Sequence, residues 1–441
     1  MDRVVCKFGG TSVAEAAQVR RVKAILDSDP RRRVVVVSAP GKRHAKDRKI
    51  TDLLFACHNL AEQRLDWGQP YTLIACRFMD LAVELGLPGA ANDAIDELVD
   101  GLERGESVDW VASRGEHISA RLIAQAFGAT FIETADLLGI DAQGLPTEES
   151  YPALAAALGG DGLYVVPGYY GRGPHGEVKV FSRGGSDITG AVMARAIGAS
   201  VYENWTDVNG FLMADPRIVP DPRPMREVTY GELRELAYMG ASVLHDEAVC
   251  PVRDVGIPIH IKNTNDPEAP GTHIVAERDA HLDPVVGVAG RREFTVIHLN
   301  KSLMNKELGF GRRVLNILER RGINFEHMPS GIDSMSVVVA DEELGDQLGA
   351  VLTDLQRQLE PDGLQVYELA LITTVGEGMA YRKGIAARCF GALASAGINV
   401  RMIIQGVAEL NIVVGVERSD FDAAVRALYE SFVTGWETSA S

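Results

Sequence analysis

Val4 to Ala14 reads VVCKFGGTSVA: an apolar run ends in a lysine, two glycines follow, and Thr11 and Ser12 open the next segment. Glycines permit a tight turn and close backbone approach, and the free N–H groups of a helix start face whatever lies in that turn, so the pattern is that of an anion cradle. Lys7 sharpens it, because an ammonium at the end of a buried strand needs a phosphate or carboxylate partner. No GK[ST] ending follows, so this is not a Walker A loop, and a strand, glycine pair and helix also occur in sequence with no ligand at all. The same logic recurs in FSRGGSDITGAVMARAIG, Phe181 to Gly198, where Gly184 and Gly185 precede Ser186 and Asp187, with Arg183 beside the turn. Two such turns on one sheet suit the two ends of one anionic ligand, while Asp187 alone equally suits a helix N-cap. In ENWTDVNGFLMADPRIVPDPRP, Glu203 to Pro224, a strand ends at Thr206 and Asp207, Asn209-Gly210 predicts a turn, and Asp215-Pro216-Arg217 opens a proline-rich loop. Strand C-termini are where open α/β sheets hold ligands, which sites Asp207 and Arg217 well. SRGEHISARLIAQAFG, Ser113 to Gly128, places Glu116 at a predicted helix start, where the helix dipole favours it in any case.

Short apolar runs must position these residues: Val4 to Phe8, Val34 to Ser38, Thr130 to Ile132, Leu163 to Val166, Val201 to Trp205 and Ile257 to Lys262. They are continuous rather than alternating, as in central strands of a mostly parallel sheet covered on both faces. Ala16 to Leu26, Gly115 to Phe127, Asp187 to Ile197 and Tyr230 to Met239 carry helical spacing, which predicts an α/β sandwich. The 441 residues allow two to four domains. With 44 Lys and Arg against 61 Asp and Glu, the net charge of −17 and the lack of a basic stripe exclude nucleic acid as the main partner. The five cysteines form no CxxC pair, predicting reduced thiols in a cytoplasm and no structural zinc. No apolar stretch reaches the ~18 residues of a membrane span, and the start lacks a signal-peptide core.

NDPEAPGT at Asn265 to Thr272, and a change of pattern after Arg291, place a domain boundary between them. Beyond it GIN recurs at Gly322 and Gly397, and SVVV at Ser336 recurs as NIVV at Asn411, both offset by 75 residues. Each repeat reads as βαββαβ, with helices at Gly311 to Arg321 and Gly384 to Ala396 stopped by glycines. Two such units should pair their sheets, since one alone buries little. Regulation is the expected role; an oligomerisation platform without a ligand is the alternative.

KFGGTS (Lys7 to Ser12), RGE (Arg114 to Glu116), SRGGSD (Ser182 to Asp187), WTDVNGFLMADPR (Trp205 to Arg217) and MGASVLH (Met239 to His245) together resemble the aspartate kinase family. KFGGTS is the most specific of them; GGSD and TDV are shared more widely among amino-acid kinases. The repeat resembles the tandem ACT domains of monofunctional members. The resemblance implies an amino-acid kinase fold, an α/β/α sandwich, over 1–275; a linker over 276–293 that lends a strand, Pro284 to Ala289, to the second ACT domain; and ferredoxin-like βαββαβ ACT domains over 294–370 and 371–441.

The same resemblance implies transfer of the ATP γ-phosphoryl to the β-carboxylate of L-aspartate, giving 4-phospho-L-aspartate and ADP, the first step toward lysine, threonine and methionine. Lys7 would contact the transferring phosphoryl, with Gly9 and Gly10 amides and Ser12 completing the cradle and Asp187 orienting Lys7. Arg183 would clamp the substrate α-carboxylate, Glu116 receive its ammonium, and Thr51 and Ser186 add hydrogen bonds. The nucleotide would lie over Thr206, Asp207, Phe211, Asp215 and Arg217, with Mg²⁺ carried by phosphates and water and no metal ligands from the protein. Two positions depart from the family pattern: Ser242 stands where many members have a phosphate-contacting lysine, and Phe211 replaces a tyrosine. GKRHAKDRK, Gly41 to Lys49, either supplies that contact or is a solvated flexible loop. An amino-acid effector is implied at a dimer interface, near Met304, Asn324, Phe325, Glu326, Ser330 and Asp333, with lysine favoured over threonine by Glu326. That implies a homodimer or larger assembly. The alternatives are a kinase for glutamate or N-acetylglutamate and a catalytically silent ACT-containing amino-acid sensor.

Overall fold

The computed structural model describes residues 2–182, 184–241, 244, 248–279 and 283–433. The chain divides into two compact units, one of Met1–Phe211, Pro224–Leu233 and Val243–Arg278, the other of Leu212–Arg223, Arg234–Ser242 and Asp279–Ser441.

The first unit is built on an eight-stranded sheet in the order Thr130–Phe131, Tyr164–Pro167, Arg32–Val37, Val4–Phe8, Val201–Thr206, Ile259–Asn263, Thr272–Val275, Glu227–Thr229. Neighbours are parallel except Ile259–Asn263 with Thr272–Val275. Every residue of Val4–Phe8 is buried, because this central strand is covered on both faces, which explains its continuous apolar run. Cys6, Phe8 and Trp205 point into one core with Ala16–Asp27 and Val108–Phe127. On the other face Gly185–Ile197 lies close enough that a Cβ on its Gly190 would meet the Tyr202 hydroxyl at 2.5 Å and its ring at 2.6 Å. Three further helices, Ile50–Glu62, Gly68–Glu84 and Asn92–Arg104, surround a second core at the start of Val108–Phe127.

That long helix corrects one expectation. It begins at Val108, with the Ser107 hydroxyl accepting from Trp110 N at 3.2 Å, so Glu116 sits in mid-helix and not at its start. Gly115 is no breaker here: a Cβ would meet that of Ala39 at 2.9 Å, and the glycine lets the helix approach Ala39 and Ile50.

The second unit holds one antiparallel sheet of five strands, Ser334–Ala340, Gly287–Asn300, Gly363–Val375, Asn411–Glu417, Met402–Ile404. Two long strands run through both repeats. Phe294–Asn300 pairs with Gly363–Leu369, and after a break in register Gly287–Arg291 pairs with Leu371–Val375. Phe310–Glu319 and Leu348–Leu359 pack on Ile297, Leu299, Val337 and Val339, while Ile385–Ser395 and Phe421–Val433 serve the second repeat. Gly322 and Gly397 both take the left-handed conformation just past their helices, φ 67° and 74°. The strand expected after the first of these helices is reduced to isolated bridges, His327 with Val338 and Ser330 with Met335, so the first repeat falls short of βαββαβ. Pro329 lacks an N–H and can only accept there, from Ser336 N. No described helix is long and apolar enough to cross a membrane.

Candidate functional site

Lys7 lies in register between Val36 and Asn204, near the C-terminal ends of its strand and theirs. Its side chain is buried, and its ammonium meets Asp187 Oδ1 at 2.6 Å. Asp187 belongs to the first turn of Gly185–Ile197, so the two glycine turns read from the sequence converge on one ion pair. The same carboxylate oxygen accepts from Asn204 Nδ2 at 2.8 Å. Cys6 and Glu203 are on the opposite face, where Glu203 pairs with Arg32 at 2.8 Å and accepts from the Trp205 indole at 2.9 Å. Burial, and then the Glu203 charge, push the Cys6 thiol well above its ordinary range, so it is an inert part of the core.

The first turn is held so closely that only glycine fits. A Cβ on Gly10 would lie 2.8 Å from Ala39 O, and Gly41 N donates to Gly10 O at 2.8 Å. The Gly9 amide donates to Trp205 O at 3.1 Å, which takes it out of the expected cradle, and a Cβ there would make ordinary contact with Lys7 Nζ at 3.7 Å. Ser12 is buried and its hydroxyl shares a 2.8 Å hydrogen bond with Thr264. The basic stretch after Gly41 is anchored at both ends. Buried Arg77, on Gly68–Glu84, donates to Gly41 O at 2.6 Å and to Arg48 O at 3.0 Å and lies 3.4 Å from Asp47. Lys42, His44, Lys46, Arg48 and Lys49 remain exposed.

At the second turn Gly184 is left-handed, φ 59°, and a Cβ on Gly185 would lie 2.6 Å from the Tyr169 ring. Tyr169 itself has φ 81°, which costs a non-glycine residue about 1–2 kcal/mol; the Thr189 hydroxyl holds it, accepting from its N–H at 3.1 Å. Such strain concentrates at ligand sites, and no sequence pattern signals it. Ser186 is packed beside Gly168. Glu116 is fully buried, one carboxylate oxygen finds no partner among the described residues, and burial pushes its carboxyl up to about 8, against hydrogen bonds from the Ala39 and Glu116 backbone. A neutral acid in this position is poised to ionise against a cation. Its charge also helps raise the Tyr169 phenol to about 12, after burial itself. Thr51 lies in the first turn of Ile50–Glu62, in the second core cluster's helical layer. Arg183 falls outside the described residues.

On the next strand end, the Thr206 hydroxyl donates to Asp207 at 3.3 Å, and Asp207 is exposed. Phe211 is buried and its N–H donates to the Thr272 hydroxyl at 2.8 Å, so its ring offers no surface to a ligand. Asn263 and Thr264 were not among the expected residues, yet Asn263 Nδ2 donates to Asn209 at 2.7 Å and Thr264 N to Thr206 O at 2.8 Å. The polar NTND run at a strand C-terminus was their signal. Asp215 and Arg217 pair with each other at 2.6 Å on a segment, Leu212–Arg223, that clusters with the second unit. Ser242 lies outside the described residues.

The amino acid kinase family model matches residues 2–263, and an ACT domain model matches 372–432. The chain is 42% identical to aspartokinase 3 of Bacillus subtilis over 98% of its own length and 99% of the relative's. The chain belongs to the aspartokinase family. Its fold follows that of Clostridium acetobutylicum aspartate kinase, described as allosteric, with a TM-score of 0.92, 43% identity, and 98% and 100% of the two chains covered. Escherichia coli aspartokinase III is more distant, 26% identical, covering 98% of this chain. Its structure with aspartate and ADP gives a TM-score of 0.73 over 99% of that chain, and the one with lysine and aspartate gives 0.77 over all of it. The protein is thus an aspartate kinase, a phosphotransferase acting on ATP and aspartate, with an allosteric ACT region. The alternatives of another amino-acid kinase and of a silent sensor fall away.

In this aspartokinase two of the residues expected to take an effector line one cavity. Asn324 and Phe325 line a cavity of about 350 Å³ with Leu315, Leu318 and Glu319. Met304 is in the core. Glu326 N donates to Val338 O at 2.8 Å, and its carboxylate is close enough to the Tyr238 phenol to help raise it, after burial itself. Ser330 and Asp333 are exposed, and Asp333 Oδ1 accepts from Leu303 N at 2.8 Å.

Proposed function

We propose that Lys7, held by Asp187, is the group that neutralises charge on the transferring γ-phosphoryl, and that Glu116 receives the ammonium of aspartate. The observation that carries this reading is the buried 2.6 Å pair of Lys7 with Asp187 at the strand end beside the Gly9–Gly10 turn. The nucleophile, a β-carboxylate, is already an anion, so no base is needed; the barrier is repulsion between it and the triphosphate, overcome by position and compensating charge. Ser12, Gly10 and Thr206 supply polar contacts near the phosphates, Asp207 and the Asp215–Arg217 pair attend the nucleotide, and Ser186, Thr51 and Arg183 attend aspartate. Mg²⁺ would be carried on the nucleotide phosphates. Lysine, which is bound together with aspartate in the structure of E. coli aspartokinase III, is the effector proposed here, acting in a cytoplasmic homo-oligomer through the ACT region.

The test is Lys7→Ala. It should lower kcat by about 10²–10³, ~3–4 kcal/mol of transition-state stabilisation, while the aspartate KM stays nearly unchanged. An unchanged turnover number removes Lys7 from the mechanism.

A further inference from the structure

Tyr202 and Asn204 are polar residues on one face of the strand Val201–Thr206, in the middle of the sheet, where each costs free energy unless it is hydrogen-bonded. Tyr202 is wholly buried and Asn204 nearly so. Both face the helix that carries Asp187, and Asn204 stands in register beside Lys7. The Asn204 amide donates to Asp187 Oδ1 at 2.8 Å, the oxygen that also meets the Lys7 ammonium at 2.6 Å. The Tyr202 hydroxyl donates to the Asp187 backbone carbonyl at 3.1 Å, and Asn204 Nδ2 lies 3.5 Å from that hydroxyl. Asp187 is therefore fixed at two points, main chain and side chain, by one strand.

We infer that Asn204, supported by Tyr202, is the positioning residue for the Asp187–Lys7 pair. An unsupported carboxylate beside an ammonium can rotate to offer it both oxygens and draw it away from the phosphates. With one oxygen already accepting from Asn204, Asp187 meets Lys7 along one direction, and the remaining ammonium hydrogens are left for the phosphates on the Gly9 side. Burial, and then the charge of Asp187, keep the Tyr202 phenol protonated and so always a donor. Asn204 touches no substrate in this account; it acts through Asp187, and the inference rests on Lys7 and Asp187 being catalytic.

Asn204→Leu keeps the volume and removes the donor, and Asn204→Asp keeps the shape and replaces the N–H by an acceptor. Both should lower kcat ten- to a hundredfold with the aspartate and ATP KM values changed less than threefold, Asp being no better than Leu. Tyr202→Phe should cost less, about three- to tenfold. In an Asp187→Asn background Asn204→Leu should cost nothing further, because the groups act in series. Thermal melts are read alongside; if Asn204→Leu does not fold, Asn204→Ser and Tyr202→Phe carry the comparison. A kcat within twofold of wild type for the folded variants, or a full additional loss in the Asp187→Asn background, overturns the inference. Wild-type rates in Lys7→Ala or Asp187→Asn would instead overturn the catalytic reading beneath it.

Discussion

Glu116 is buried in mid-helix with an unpartnered carboxylate oxygen and a carboxyl raised to about 8 by burial. In the folded protein the group holds its proton where the unfolded chain, at the ordinary 4.5, has released it, so folding takes up a proton between these values. The folded state binding more protons means that stability falls as pH rises from about 4.5 to about 8 and is flat above. Glu116→Gln abolishes that slope and should melt higher than wild type at pH 8 but not at pH 4.5, by about 2–4 °C for each kcal/mol recovered. The substrate ammonium favours the ionised form, so the wild-type aspartate KM should fall as pH rises from 6 to 8, whereas the Gln variant should have a high, flat KM. A wild-type KM indifferent to pH over that range, or a variant binding aspartate normally, removes Glu116 from the substrate. Burial without a partner makes Glu116 a cost to stability, which marks it apart from Glu203, equally buried but paired with Arg32.

At the scale of elements, the glycine turns make a contrast that kinetics can read. Gly185→Ala brings a Cβ within 2.6 Å of the Tyr169 ring and 2.9 Å of its Cα, so the helix start must shift and carry Ser186 and Asp187 with it. Gly105, at the end of Asn92–Arg104, has φ 75° and nothing within 4 Å, so Gly105→Ala strains only the backbone. Denaturant melts should show both destabilised, by about 1–3 kcal/mol for the crowded site and about 1–2 for the open one. Only Gly185→Ala should lower kcat and raise the aspartate KM; wild-type kinetics there would deny that the turn positions Asp187. The turns were legible because a continuous apolar run and a glycine pair are local signals, and Val4–Phe8 is observed with its expected bounds. Glu116 was read from the RGE motif but placed on the wrong part of its helix, since Gly115 reads as a helix boundary while it serves packing against Ala39. Asn204 and Tyr169 were not legible: one owes its role to register across two strands, the other to a left-handed conformation forced by its neighbours. Ile50–Glu62, Gly68–Glu84 and Asn92–Arg104 escape a reading built on sheet strands because they pack among themselves.

In the whole molecule the chain passes between the two units several times, and the helix Tyr230–Tyr238 starts in one and ends in the other. Partial burial, and then the neighbouring Glu326 carboxylate, raise the phenol of its last residue, Tyr238, to about 12, so it stays protonated. An effector acts only through different affinities for the active and inhibited arrangements. If lysine presents its ammonium to Glu326, the Tyr238 hydroxyl beside that carboxylate is the competing donor. Tyr238→Phe removes the competitor and should move the lysine inhibition curve to lower concentration. Glu326→Ala removes the acceptor; losing one partner of a desolvated charge pair costs ~2–5 kcal/mol, so the curve should move right by tenfold or more while turnover without lysine persists. The opposite signs are the diagnostic feature, since general damage to the region would weaken inhibition in both variants. Wild-type enzyme indifferent to millimolar lysine would exclude lysine as the effector. Loss of basal turnover in Glu326→Ala together with inhibition would make the role of Glu326 structural, with the 350 Å³ cavity beside Asn324 and Phe325 then the better place to seek the effector, through Glu319.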